Sequence, residues 1–409
     1  MKVFGVSVKQ RKLIIYEPLE NDICKYYDGK SYHETTKETI HEYAFSKSRT
    51  SKYIPIKKDE NKTFEESFEE FVEKANTFRK LSLDSNGKNA LVNLYKSGSI
   101  TNTARVLFYD YCNSQNITPE QITLDESIFI KSSSIGALIY SNNGYIGPVF
   151  EYDINSCYPS ILRDDKFKIP IKQGIIKTLS KDDFEKMKST FFSYGIFKCK
   201  ITSETPNKLF RFNKNNYYTT QDLRNATLLK LNIEYIDCKD NFLHYPPNTL
   251  ISGKNMFRWF VDTLYELKGK DKRFKEILNC LWGCLVQEKK TRLVIDLTKE
   301  SDVNLNTDEV EILSQIIEKN KCIIEYIYKN KSSFKTDFAR LKPFILSQGR
   351  LKMSQLLVDH VESIEQINTD GFKSHIKLDI ECGNGIGDLR YEGKRENVKI
   401  VNVNKIVDV

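Results

Sequence analysis

Three short segments carry the side chains whose types and spacing could do chemistry. In the first, the apolar run Gly147-Pro148-Val149-Phe150 leads through Glu151 and Tyr152 to a lone carboxylate, Asp153. The turn Asn155-Ser156-Cys157-Tyr158-Pro159 and a short helix over Ser160–Asp165 follow. A carboxylate at a strand end, beside exposed backbone groups and a phenol, suits a divalent cation that carries a triphosphate. Alone, the segment is equally an ordinary turn, since Asp and Asn start turns through local hydrogen bonds.

The second segment, Lys275 to Gly283, has helical periodicity. Lys275, Asn279, Trp282, Gly283 and Val286 share one face, while Ile277, Leu281, Cys284 and Leu285 share another that anchors the helix to a core. The first face offers a cation that can grip phosphate, an amide, a broad aromatic and a gap. A mid-helix glycine costs about 1 kcal/mol relative to alanine, which close approach of another group would explain. The plainer reading is a surface lysine on a helix with a tolerated glycine. In the third segment, Ile364 to Phe372, two β-type runs flank Asn368-Thr369-Asp370-Gly371, a hairpin signal in which Asp-Gly supplies positive φ. The hairpin needs no function to explain it, yet its tip is a rigid place for a second metal-binding carboxylate. Two strand-borne carboxylates, with a lysine-bearing helix between them in sequence, suit two-metal phosphoryl transfer.

The elements that must position these residues are legible in outline. Spacing predicts helices over Phe64–Leu81, Ile100–Cys112, about one turn after Pro119, Lys181–Lys188, Thr220–Lys230, Phe257–Leu267, Arg273–Gln287, Asp308–Lys319 and Lys342–Val358. Strand patterns fall at Lys12–Tyr16, from Ile128 to Ile154, at Ile233–Ile236 and from Ile364 to Val409. Residues 50–64, rich in lysine, read as an exposed loop. The 409 residues suffice for two or three domains of an α/β (α+β) chain. The expected parts are an antiparallel sheet carrying Asp153 and Asp370, a helical hairpin near 257–290 and a small mixed N-terminal domain.

Composition narrows the class. Hydrophobic content of 40% and charged content of 29% exclude a disordered chain. The excess of 63 basic over 55 acidic residues, a net +8, is a mild bias towards polyanionic partners. Nine cysteines without a Cys-x-x-Cys pair argue against a disulfide framework. Cys280 and Cys284 lie one helical turn apart with no histidine near them in sequence, so apolar packing is favoured over zinc. No signal-peptide core and no run of membrane-spanning length occurs, and an intracellular, soluble protein without a membrane partner is expected.

Together, the three segments resemble the motifs of family B DNA polymerases. Asp153 to Ser160 is similar to the Asp-x-x-Ser-x-Tyr-Pro-Ser pattern of motif A. Lys275 to Gly283 is similar to Lys-x-x-x-Asn-Ser-x-Tyr-Gly of motif B, with Cys280 and Trp282 departing. Asn368-Thr369-Asp370 resembles the Asp-Thr-Asp of motif C, with asparagine first. Tyr217 to Leu223 and Phe257 to Lys268 resemble segments around the start of the fingers. Ser134-Ile135-Gly136-Ala137 resembles the Tyr-x-Gly-Gly/Ala element of protein-primed phage, viral and organellar members, with serine for tyrosine. The likeness spans roughly residues 126 to 405.

The resemblance implies a template-directed DNA polymerase that adds deoxynucleotides to a primer 3′-hydroxyl for a virus, plasmid or similar element. It implies two ions, Mg2+ or Mn2+, on Asp153, Asp370 and the Ile154 carbonyl, with Asn368 and Thr369 as further candidates. Asn155, Ser156 and Cys157 would offer amides to the triphosphate, and Tyr158 would stack under the sugar and exclude a 2′-hydroxyl. Lys275 would neutralise the phosphates and protonate pyrophosphate, while Asn279, Trp282 and Gly283 would line the nascent base pair. Ser134, Gly136, Arg350 and Lys399 would meet DNA. Arg350 reads equally well as a surface arginine near a helix end, and no tyrosine stands two residues beyond Lys399 or Lys405 to complete the family's primer-binding Lys-x-Tyr. Lys268, Lys270, Lys272 and Arg273 fit a fingers tip facing phosphate, or a solvated charge run. Implied partners are template and primer DNA, deoxynucleoside triphosphates, and a terminal protein primer or a processivity partner. The implied division is an N-terminal domain of open role over 1–125, palm over 126–256, fingers over 257–290 and further palm over 291–409.

Three departures bear on activity. Asn368 removes a charge near the metals; no Asp-x-Glu of a proofreading exonuclease precedes Asp153; and the sequence ends soon after the palm strands. A thumb is therefore expected to be minimal or absent, with low processivity unless a partner supplies the clamp. A non-catalytic relative serving as a DNA-binding replication subunit fits the lost carboxylate, but not Asp153, Tyr158, Lys275 and Asp370 retained together. A two-metal nuclease or transposase would need a third carboxylate in register and leaves Lys275 and Asn279 unexplained.

Overall fold

Asp153 and Asp370 belong to one sheet of six antiparallel strands. Its order is Lys405–Asp408, Leu389–Asn402, Ile146–Ile154, Gly371–Ser374, Ile364–Asn368 and Ile139–Ser141. The computed structural model describes residues 12–16, 23–27, 32–36, 53–57, 61–298, 305–329 and 332–409. They divide into two compact units, Met1–Gln115 with Asp262–Leu281, and Asn116–Val261 with Trp282–Val409. The sheet lies in the second. Tyr152 and Ile154 bury one side of the strand that ends at the catalytic candidate, and Tyr152 stacks on Phe372 of the neighbouring strand at 4.9 Å between ring centres. This is the cross-strand aromatic pairing that fixes register, because a slip by one residue would turn both rings to the other face.

The second unit also holds a five-stranded sheet built on Gly195–Thr202 and a core around Phe197, Phe242 and Phe184. The helix Leu341–Leu357 is buried almost all round, which is why its apolar residues form no single stripe. Two buried guanidiniums anchor it. Arg340, just ahead of the helix, donates to both Glu126 carboxylate oxygens at 2.7 Å and to the Glu120 and Gln121 carbonyls. Tyr245 Oη donates to the same Glu126 at 2.8 Å. Arg350, within the helix, binds Asp222 at 2.7 Å.

In the first unit, Tyr32–Thr36, Ile23–Tyr27, Lys12–Tyr16 and Tyr53–Lys57 form a sheet whose last pairing is parallel. The helix Phe64–Leu81 starts at a capping box, Thr63 with Glu66. Phe274 stacks on Phe78 at 4.2 Å, and Arg273 pairs with Glu73 and Asp271.

The structure differs from the sequence reading at five places. Asp308–Lys319 is not a helix: Val310–Glu318 is a strand, because Val310, Ile312, Ile316 and Ile317 suit pairing with Lys321–Tyr328. Ile128–Ser133 is not strand but the end of a helix that begins at Leu124, held by the Thr123 cap and acidic Asp125 and Glu126 in its first turn. Residues 53–57 form a strand within the expected loop, paired with Lys12–Tyr16. The segment 257–290 holds two consecutive helices, Gly253–Lys270 and Phe274–Leu285, as expected, whereas the short helix expected over Ser160–Asp165 runs instead over Cys157–Leu162, started by the left-handed Ser156. Val286 lies beyond the helix Phe274–Leu285 and is buried, so it does not share the face of Lys275.

The Glu126–Arg340 pair yields a stability test. Glu126→Ala leaves a fully buried guanidinium unpaired and is expected to destabilise the second unit by about 3–5 kcal/mol. A urea titration followed by far-UV circular dichroism checks this, and a midpoint equal to wild type would refute the pair's role.

Candidate active site

The strand register brings the two aspartates together. Gly371 pairs with Asp153, and the Ile154 N–H donates to the Asp370 carbonyl at 2.9 Å. A Cβ at Gly371 would stand 3.2 Å from the Tyr152 carbonyl and 3.4 Å from Asp153 Oδ1, so glycine serves the close approach of the two strands. The hairpin turn is Thr369-Asp370, and its positive φ (65°) falls on Thr369 rather than on Gly371. The sequence reading placed that conformation at Asp370-Gly371, too late in the turn, because the two-residue loop closes between Asn368 and Gly371. Thr369 is held in place by its N–H, which donates to the Leu138 carbonyl at 3.0 Å.

Both aspartates are half-buried. Burial pushes the Cys157 thiol up to about 12, and the charges of Asp370 and Asp153 push it in the same direction while Lys352 opposes them. Both carboxylates therefore act on one thiol at the foot of the turn. Among the described residues no group of three or more His, Cys, Asp and Glu stands together. A pair of hard oxygen ligands fits magnesium, which is bound through one or two carboxylates and completes its shell with water and substrate phosphate.

Ser156 adopts the left-handed conformation (φ 53°, ψ 52°) and turns the chain from the strand into the helix Cys157–Leu162. The Ser160 N–H closes the first helical bond on the Ser156 carbonyl. Asn155 differs from expectation. Its N–H donates to the Asp388 carbonyl at 2.9 Å, and so is not available to a triphosphate. The Tyr158 ring lies between Trp282, at 5.1 Å between centres, and Gly349, where a Cβ would stand 3.2 Å from the ring. Burial holds its phenol well above the ordinary range.

The helix Phe274–Leu285 buries Ile277, Leu281, Cys284 and Leu285 as its periodicity requires, and leaves Lys275 and Asn279 exposed. A Cβ at Gly283 would meet no atom within 4 Å among the described residues, so no close approach among them explains that glycine. Lys275 and Asn279 belong to the first unit, whereas Asp153, Tyr158, Trp282 and Asp370 belong to the second.

Arg350 is neither a surface arginine nor placed to grip phosphate. It is buried, with Nε and Nη2 on Asp222 and Nη1 on the Ile135 and Gly136 carbonyls. Its partner Asp222 also closes the capping box of the helix Thr220–Leu228. Arg211 donates to the Ala137 carbonyl at 2.7 Å, so two guanidiniums hold the loop at Gly136. Ser134, at the end of the helix Leu124–Ser133, donates its hydroxyl to the Ile130 carbonyl. Lys399 is exposed on the long strand Leu389–Asn402, opposite Ile146 and Val407. Asn368 is exposed and donates to the Val403 carbonyl at 3.3 Å.

Sequence reasoning passed over Asp222, Arg211, Gly349, Lys352 and the loop Gly383–Asp388. Only the loop carried a signal, its glycines at alternate positions. One chemical consequence is direct: at pH 8 Cys157 is expected to resist alkylation while exposed Cys382 reacts. Mass spectrometry of the native protein after brief iodoacetamide treatment checks this, and equal labelling would contradict the packing around Cys157.

The sequence matches the family described as DNA polymerase type B, organellar and viral, over residues 56–362. That span contains Asp153 and Lys275; the hairpin of Asp370 lies beyond it and is joined to it by strand pairing. No curated protein matches. Among solved structures, the chain is similar to Phi29 DNA polymerase complexed with single-stranded DNA, at 12% identity and a TM-score of 0.56, covering 95% of this chain and 72% of that one. It is likewise similar to Phi29 DNA polymerase in a ternary complex with primer-template DNA and incoming nucleotide, at 12% identity and a TM-score of 0.53, covering 94% and 70%. At this identity the likeness concerns the fold, whereas the family match covers three quarters of the sequence: the chain belongs to the organellar and viral type B DNA polymerases.

Proposed function

We propose that this chain extends a primer 3′-hydroxyl with deoxynucleotides under the direction of a DNA template, with Asp153 and Asp370 as the metal-binding pair. The observation that carries this reading is the register that sets Asp153 against Gly371 and hydrogen-bonds Ile154 to Asp370. Family membership and the retention of Asp153, Tyr158, Lys275 and Asp370 together count against a non-catalytic subunit.

In this reading Asp153, Asp370 and the Ile154 carbonyl hold two divalent cations, Mg2+ or Mn2+. When bound, the cations make the 3′-hydroxyl a better nucleophile and neutralise the triphosphate and departing pyrophosphate. The Ser156 and Cys157 N–H groups bind phosphate oxygens, and Lys275 adds positive charge and a proton for pyrophosphate. Tyr158, kept rigid between Trp282 and Gly349, supports the sugar and rejects a 2′-hydroxyl. Asn279, Trp282 and Gly283 border the nascent base pair. The Ser134–Gly136 loop meets the template, with Arg350 acting through that loop, and Lys399 meets the primer. The family match supports a viral, plasmid or organellar setting, and the likeness of Ser134-Ile135-Gly136-Ala137 to the element of protein-primed members supports a protein hydroxyl as an alternative primer. No helix among the described residues is long and apolar enough to cross a membrane.

Primer extension with magnesium or manganese tests the assignment. Asp153→Ala and Asp370→Ala are expected to abolish incorporation, whereas Asn368→Asp preserves or raises it. Incorporation by Asp370→Ala equal to wild type would remove that residue from the site. Sugar selection is tested by competing deoxy- and ribonucleotides. Tyr158→Val is expected to lower the preference by about 100-fold, within the range one steric contact supplies. Gly349→Ala moves the same ratio less, through the ring it crowds. A ratio unmoved by Tyr158→Val would reject the sugar contact.

A further inference from the structure

The loop Gly383-Asn384-Gly385-Ile386-Gly387-Asp388 looks by composition like a phosphate-cradling loop, but its amides are engaged within the chain. The Gly383 N–H donates to the Leu389 carbonyl at 2.8 Å, the Gly385 N–H to Asp388 Oδ2 at 2.7 Å, and the Gly387 N–H to the Asn155 carbonyl at 2.7 Å. Each glycine answers a steric demand. A Cβ at Gly383 or Gly385 would stand 2.4 or 2.7 Å from Asp388 Oδ2, and one at Gly387 (φ 89°) would stand 2.8 Å from Ser160 Cβ. The loop is folded tightly against its own carboxylate so that it can approach the turn after Asp153.

That approach takes hold of Asn155 on every side. Its N–H donates to the Asp388 carbonyl, its carbonyl accepts from Gly387, and its Nδ2 donates to the Asn384 and Gly385 carbonyls at 3.1 and 3.0 Å. Lys352, from the buried helix Leu341–Leu357, closes the arrangement. Its half-buried Nζ donates to the Gly387 carbonyl at 3.0 Å and to Ser160 Oγ at 3.3 Å. One cation thus ties the loop to the far end of the turn whose near end carries Asp153.

We infer that Lys352 and the loop Gly383–Asp388 are a clasp that positions the turn Asn155–Ser160, and that the clasp sets affinity for the incoming nucleoside triphosphate. Lys352 is a positioning residue. Through Ser160 Oγ and the Gly387 carbonyl it holds the turn in the conformation that a triphosphate would meet. The inference rests on the polymerase reading for its ligand, but the clasp itself is a property of the chain.

Two measurements on Lys352→Met test it. In single-nucleotide incorporation on a primed template, KM for the deoxynucleotide is expected to rise about tenfold, as loss of about 1.4 kcal/mol of positioning would give. The turnover number and the affinity for primed DNA change less than about twofold on the same scale. Lys352→Arg, which keeps charge and donors, falls between the two. In hydrogen exchange, peptides covering Asn155 and Gly387 are slow in wild type and faster in Lys352→Met. Should Lys352→Met fail to fold, Ser160→Ala removes one anchor and is expected to raise KM in smaller measure. An active wild type whose KM is unmoved by these changes would overturn the clasp, as would KM and DNA affinity worsening in parallel. A wild type that incorporates nothing defeats the polymerase reading instead. Exchange then decides the clasp: faster exchange in the variant supports it, and unchanged exchange overturns it.

Discussion

The proposed site depends on one pairing, that of the strand ending at Asp153 with the hairpin ending at Asp370. Two carboxylates more than two hundred residues apart can share cations only if the backbone fixes their separation, because mutual repulsion otherwise drives them apart. The Ile154 to Asp370 hydrogen bond and the stacked rings of Tyr152 and Phe372 supply that restraint. Gly371 allows it, since a side chain there would meet the Tyr152 carbonyl. A cation would then offset a repulsion that the sheet already imposes, so binding and pre-organisation act on the same bond network.

Around that pairing, charge is used for architecture as much as for chemistry. The helix Leu341–Leu357 and the residue before it carry Arg340, Lys342, Arg350 and Lys352, four cations within thirteen positions, and each binds the chain's own oxygens. A buried ion pair adds little net stability but is costly to break, so its effect is to exclude other arrangements. Arg350 joins the cap of Thr220–Leu228 to the Gly136 loop, and Lys352 joins the turn after Asp153 to the glycine-rich loop. One helix therefore aligns two loops that would meet different parts of a polymerase substrate.

How far the sequence disclosed this follows from the range of each interaction. Segments governed by local periodicity, such as Phe64–Leu81 and Thr220–Leu228, were legible because their caps and apolar spacing lie within them. The order of the three motifs singled out Asp153, Lys275 and Asp370 as candidates, and strand pairing brings the two aspartate segments together. What stayed hidden was set by distant partners. Val310–Glu318 has a composition compatible with either helix or strand and is decided by Lys321–Tyr328. Arg350 looked like a phosphate contact because nothing nearby in sequence reveals Asp222 across 128 positions. Asn155 looked like a donor to substrate because its acceptor, the Asp388 carbonyl, belongs to a loop formed far along the chain.

Asn368 shows how a departure from a family pattern can be locally consistent. Its amide donates to the Val403 carbonyl, and two residues earlier Gln366 donates to the Asn402 and Val403 carbonyls at 3.2 and 3.1 Å. A pair of neutral amides on the hairpin strand thus holds the turn that joins the last two strands of the sheet. An aspartate at 368 would give up its donor and face a carbonyl oxygen. At an exposed site that loss is about 0.5–1.5 kcal/mol, the usual net value of one hydrogen bond. In the proposed site the charge gained would add attraction for the cations that Asp153 and Asp370 would hold. Asparagine at this position therefore gives up that attraction for a small gain in the fit of the sheet edge, which leaves the geometry of the proposed pair to the strand register.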